Sequence, residues 1–408
     1  MAERGFLREN ARWLGAGAGL AFASSFGQTF YLALFGPEIR AELGLSHGEW
    51  GGIYTVATLA AAATLMASGG LVDRYRVRWL APATLVLMAL AAAVFAGAQG
   101  VVALGLAIYA LRFLGQGFCG HLSVTATARW FAARRGRALA VAGLGYSAGE
   151  AVLPGLAVAV AAFSGWRGAW LASAALLLAA APLMCRLLAA ERTPQSVAHA
   201  TEAVGMGGRH WTRAEATRHW VFWALTPGLL GPPFIGTTIF FQQAHLAAEK
   251  AWSLVAVAAA LPVYAGVTIA VSFAAGALVD RLGARRLLPF YQAPMGLGAL
   301  ALALMDHPVT PFLAYGLCGA TSGAAVAVLG ALWPEVYGTR WLGSIRSAVM
   351  SALIFATALG PGLSGALIDA GLAIEAQLVA LALWAFATCA GYGMLAARLK
   401  AATAAQAA

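Results

Sequence analysis

Apolar runs follow one another along almost the whole chain, broken by short stretches in which arginines gather. Each run is about 20 residues long, the length an α-helix needs to cross a hydrocarbon layer about 30 Å thick. Twelve runs can be drawn, at 12–36, 49–72, 79–99, 101–131, 137–163, 166–188, 219–246, 253–279, 286–305, 309–334, 342–368 and 374–397. Composition agrees: 61% of the residues are hydrophobic and 10% charged, whereas soluble domains carry roughly 25% charge. Within lipid, backbone polar groups must be satisfied inside the segment, so such runs form helices. The expected fold class is an all-α membrane protein of twelve transmembrane helices. Trp13, Trp50, Trp79, Trp166, Trp220, Trp252 and Trp341 fall near run ends, where an amphipathic ring prefers to sit.

Positive charge sets the orientation. With both termini in the cytoplasm, every Lys and Arg except Arg40, Arg112, Arg167 and Lys250 falls on the cytoplasmic side, the side that carries this excess in membrane proteins. The expected location is a plasma membrane, of the bacterial inner type. The first run is too long for a signal-peptide core and is expected to remain as a helix. A net charge of +10 points to no nucleic-acid partner, because the basic residues lie in short clusters between runs rather than along one face.

The chain also repeats itself. "GGLVDRYRVRW" at Gly69 and "GALVDRLGARR" at Gly276 place Asp73 and Asp280 207 positions apart, and "PGL" at Pro154–Leu156 returns at Pro361–Leu363 with the same offset. The longest polar stretch, 189–217, separates six runs from six. Residues 1–188 and 218–408 are therefore expected to be two homologous six-helix halves joined by a cytoplasmic linker. An even number of spans per half makes the repeat a parallel one.

"GALVDRLGARR" resembles the loop signature between the second and third helices of each half in the major facilitator superfamily. The first copy departs from it, with Arg76 where the glycine is expected. The resemblance implies an alternating-access bundle in which Asp73, Arg74, Asp280 and Arg281 act as gating residues, latching the cytoplasmic side. "ARWFAARRGRALAVAGLG" and "GTRWLGSIRSAVMSALIFATALGP" are similar to loops of oxalate/formate antiporters and monocarboxylate transporters. The cationic positions of those groups are held here by Ser272 and Leu353, so their anion site does not carry over.

Ionisable residues inside runs are the sharpest local signal, since a charge at mid-bilayer costs about 2.5–3.5 kcal/mol on insertion scales. Two stand out: Arg112 in "LRFLGQG", which partly matches the superfamily's fourth-helix arginine motif, and Glu150 in the fifth run. Both fall near mid-depth on consecutive antiparallel helices, so they are expected to meet and to couple substrate to protons. An interhelical ion pair with no substrate contact is the plainer alternative. Gln28 and Tyr31 in the first run and Tyr264 in the eighth are expected to join Arg112 in binding substrate.

Nothing points to an enzyme, a cofactor or a metal. Cys119, Cys185, Cys318 and Cys389 lie singly in four runs, and no phosphate-cradling loop precedes a Lys-Ser/Thr pair. The expected function is secondary active transport of a small organic solute, an organic anion or polar metabolite, driven by protons. Proton-coupled efflux of amphipathic compounds is the alternative. The expected partners are a small-molecule substrate, protons and membrane lipid, with the protein a monomer.

Overall fold

The structure is a computed structural model describing residues 8–68, 71–131, 135–190, 204–338 and 340–407. Sequence expectations on Arg4, Arg134, Arg192 and linker positions 191–203 lie outside these residues. So do those on the side chains of Asp73, Arg74, Arg135, Arg137, Arg346, Arg398 and Lys400.

Among the described residues every regular element is helical, and nine helices are long and apolar enough to cross a membrane. One of the nine, Ala138–Leu187, holds two of the expected spans. They divide at Gly165, whose φ of 67° is a backbone state that L side chains rarely adopt. The first and ninth spans are shorter as helices than the sequence suggests. The ninth is Ala293–Leu304, preceded by a separate turn at Ala284–Leu287. The first is interrupted: helix Ala11–Ser24 gives way to a 3₁₀ turn at Ser25–Gly27, an extended Gln28 and a short helix Thr29–Leu32. Each expected span thus contains a helix.

Three helix starts carry polar caps for the free backbone N–H groups there. Ser46 and Glu49 cap the helix His47–Ser68 reciprocally. Thr212 and Glu215 do the same for Arg213–Arg218, and Ser253 Oγ accepts from Ala256 N at the start of Leu254–Leu282. Many large side chains point outward, Phe163 being 94% exposed. In lipid that orientation is favourable.

Contacts divide the chain into two compact units, Met1–Ala200 with Gln243–His245, and Thr201–Gln242 with Leu246–Ala408. In the first, helix Arg135–Leu187 packs on Ala11–Ser24 and Val77–Gly97. The approach is close enough that a Cβ on Gly145 would overlap the Ala18 carbonyl, and one on Gly149 the Ser25 hydroxyl. Small residues four apart serve this purpose in membrane helices. In the second unit, Leu254–Leu282 and Thr310–Tyr337 meet equally closely. A Cβ on Gly319 would stand 2.5 Å from the Tyr264 carbonyl oxygen. Gly319→Ala is accordingly expected to lower the melting temperature of the purified protein, by an overpacking cost of about 1–3 kcal/mol. Melting equal to wild type would show that the helices part without penalty.

Each unit uses a cation to cap the end of its third span. In the first, Arg167 donates to the carbonyls of Ala96 and Ala98, and to Glu42 Oε1 at 2.6 and 3.1 Å, while Trp166 Nε1 reaches Glu42 Oε2 at 3.0 Å. In the second, Lys250 Nζ donates to Ala303 O at 3.1 Å and Asp306 Oδ1 at 2.6 Å. Ala96 and Ala303 are 207 apart. The repeat therefore preserves the capped carbonyl but not the helix that supplies the cation.

The hydrogen bond from Arg167 holds the Glu42 carboxyl below its usual value of 4.5. A depressed carboxylate pKa contributes stability that is present above the unfolded pKa and lost as pH falls through the folded one. Wild type and Glu42→Gln should therefore differ in melting temperature at neutral pH and converge under acid. A difference unchanged by acid would disprove the ionic origin.

Candidate functional site

The break in the first helix organises the first unit. Gly27 lies against Gly115, where a Cβ would come within 2.7 Å of the Gly27 Cα, and a Cβ on Gly27 would overlap Leu111 O. Two glycines thus let the unwound segment touch the fourth span. That span is itself irregular: Val101–Leu111 passes into a π-helix at Arg112–Cys119 before Gly120–Trp130 resumes the α form. π-segments are rare and recur at functional sites.

Unwinding leaves carbonyls without helical partners. Tyr31 N bonds to Gln28 O rather than to Gly27 O. Arg112, 2% exposed, occupies the gap: its Nη1 donates to Gly27 O at 3.0 Å and its Nε to Thr58 Oγ1 at 3.2 Å. The guanidinium carbon lies 5.0 Å from the Tyr54 ring centroid, and Tyr54 Oη is 2.6 Å from Thr29 Oγ1. Tyr54 and Thr58 are four apart on one helix, hence on one face. Among the described residues, two polar atoms here are buried without a protein partner, Arg112 Nη2 and Ser25 Oγ.

Glu150 is also 2% exposed and follows Gly149, which presses on Ser25. Among the described residues it has no ion-pair or hydrogen-bond partner. The expected Arg112–Glu150 pair is therefore not formed. The reason is the helix break: it offers the guanidinium fork a carbonyl and a hydroxyl on the first and second spans, and those set the direction of the side chain.

The remaining expected residues divide by position. Gln28 forms the break and is half-buried. Tyr31 is 4% exposed; its hydroxyl meets Ser173 Oγ at 2.6 Å, and its ring stands edge-on to Trp170 and Phe26. Tyr264 belongs to the second unit, with its hydroxyl 2.8 Å from Ser322 Oγ and Phe240 edge-on to its ring. Asp280 and Arg281 are exposed, and among the described residues Asp280 has no hydrogen-bonded or ion-paired partner. The carboxylate that fastens the loop after it is Glu335, which takes Ala284 N at 3.0 Å and lies 3.8 Å from Arg285 Nε. Sequence reasoning missed Thr58, Tyr54 and Glu335. The i, i+4 spacing of the first two was the available signal.

The second unit keeps no copy of this site. By the 207 offset, Tyr54, Thr58, Arg112 and Glu150 correspond to Leu261, Ala265, Gly319 and Thr357. The close approach at Gly319 leaves no room for any side chain.

A repeated bundle of membrane-spanning helices, with an incompletely paired cation buried at a helix break, is the construction of a multi-pass membrane transporter. The sequence profile of the Major Facilitator Superfamily matches residues 17–361, and the chain belongs to that superfamily. No curated protein sequence matches it. Among solved structures it is similar to a bacterial homolog of the human lysosomal transporter Spinster, in an inward-facing and unoccupied conformation. The TM-score is 0.73 at 16% identity, over 96% of this chain and 97% of that one. It is also similar to a mutant of the nucleoside transporter NupG, with a TM-score of 0.64 at 13% identity, over 96% and 99% of the two chains. These likenesses concern the fold.

Proposed function

We propose that the protein is a secondary active transporter that moves a small organic solute, an organic anion or polar metabolite, by alternating access, with protons as the coupling ion. One observation carries the reading. Arg112 is buried with an unpaired guanidinium nitrogen beside an unwound helix, a costly arrangement that a substrate's acceptor oxygen would complete. The unsatisfied Ser25 hydroxyl gives the same place a second polar contact. Glu150 is the proton-carrying group, acting beside Arg112 rather than through a salt bridge to it. Gln28 belongs to the site through its position at the break, whereas Tyr31 shapes the site through packing. Tyr264 is a candidate substrate contact within the second unit. Both termini lie in the cytoplasm, and the protein resides in a plasma membrane.

A thermal-shift screen of the purified protein against carboxylates, nucleosides, amino acids, sugars and drug-like cations tests this, since a ligand of the folded state raises the melting temperature. A carboxylate or other acceptor-rich solute should raise it for wild type and not for Arg112→Ala. Stabilisation by drug-like cations alone would overturn the reading.

Gating follows from the repeated loop. Asp73→Asn and Asp280→Asn should each raise labelling of single cysteines facing the cytoplasm and lower it for those facing outward. Labelling unchanged in both variants would leave Asp73, Arg74, Asp280 and Arg281 as topology signals only.

A further inference from the structure

We propose that the second unit carries a binding site for the headgroup of an acidic phospholipid, with Arg281 and Arg286 holding its phosphate. The site is an open groove of about 1000 Å³ where Leu254–Leu282 and Thr310–Tyr337 end, lined by Arg281, Arg285, Arg286, Glu335, Leu282 and Ala396. That volume is ample for a headgroup and its glycerol.

The charges are not balanced within the groove. Glu335 is its lining carboxylate, and its two oxygens are committed: Oε1 accepts from Ala284 N at 3.0 Å, and Oε2 lies 3.8 Å from Arg285 Nε. Arg285 is in turn tied down, donating to Glu335 O at 2.8 Å. Arg281 and Arg286 are exposed, and among the described residues neither has an ion-pair partner. The turn at Gly283, with φ of 80°, brings these two side chains, five positions apart, to one groove. The partial negative charge at the two helix ends is about half a unit each. Against that stand three guanidinium groups and one carboxylate, so the groove keeps a net positive charge.

Location and lining identify the occupant. The arginine bias assigns this end of the spans to the cytoplasm, where anionic headgroups lie at the level of helix ends. A soluble phosphate gains nothing from Leu282 and Ala396, whereas the glycerol and first acyl carbons of a lipid are buried against them. A guanidinium fork fits two phosphate oxygens.

The test uses the full-length protein in neutral detergent, with melting followed as lipid is added. Phosphatidylglycerol should raise the melting temperature saturably, and phosphatidylcholine should not. Arg286→Gln should weaken the apparent affinity roughly five-fold, as expected for one surface arginine, and Arg281→Gln/Arg286→Gln should remove the response. Both side chains are exposed, so the lipid-free melting temperature should stay near wild type. Equal stabilisation by phosphatidylcholine, or a full response in the double variant, would sink the proposal. If glycerol 3-phosphate reproduced the effect at the same concentration, the site would be one for a soluble anion, and the lipid assignment would fail.

Discussion

Arg112→Ala is expected to abolish uptake in proteoliposomes, and Arg112→Lys to fail to restore it. The alanine variant removes the side chain that donates to Gly27 O, which lies at the break in the first span. It also strips Thr58 of its donor. Each orphaned buried polar group costs about 1–3 kcal/mol, so some loss of thermal stability accompanies the loss of function. Lysine keeps the charge but presents its donors from one point. It cannot hold Gly27 O and Thr58 Oγ1 and still offer a free nitrogen to a solute, which the fork of arginine does. Thr58→Val separates stability from function: it deletes one hydrogen bond, worth about 1 kcal/mol, and leaves Nη2 in place. That variant should melt lower and still transport. Uptake near the wild-type rate in Arg112→Ala would remove Arg112 from the site altogether.

The helices were legible in the sequence because length and hydropathy alone decide whether a segment spans lipid. Twelve runs could be drawn, and each contains a helix. What could not be drawn was the interruption of the first run. Ser25, Phe26, Gly27 and Gln28 are unremarkable in a list of apolar residues, and their unwinding depends on Gly115, 88 positions away. Neither glycine announces the other. The same contact decides the candidate site. Depth along the helices places Arg112 and Glu150 at one level, and both side chains are buried. Depth said nothing of rotation about the helix axis, and rotation sends Arg112 to Gly27 and Thr58 instead of to Glu150. The 207 offset did report the asymmetry between the halves. Its physical cause, a helix crossing at Gly319 too tight for a side chain, is a property of packing and had no signature in one sequence.

Glu150→Gln is expected to retain substrate exchange in counterflow and to lose accumulation driven by an imposed proton gradient. Glutamine matches the carboxylic acid in size and hydrogen-bonding capacity but has no proton to release. Exchange needs only a site that opens to either side, and the substitution leaves that site its shape. Accumulation needs the buried group to change charge between the two openings. Glu150 is placed for this: it is buried, has no partner among the described residues, and stands next to the Gly149 contact on the broken first helix. A double-mutant cycle decides how it communicates with Arg112. Residues that share an ion pair show coupling of about 0.5–3 kcal/mol, whereas separate sites add to within about 0.5 kcal/mol. Because Arg112 is bonded to Gly27 and Thr58, the stability losses of Arg112→Ala and Glu150→Gln should add, and the charge-swapped double variant should not recover transport. Additive stability combined with lost accumulation in Glu150→Gln locates coupling in the charge state of one carboxyl. Accumulation that survived in Glu150→Gln would place the coupling proton elsewhere in the chain.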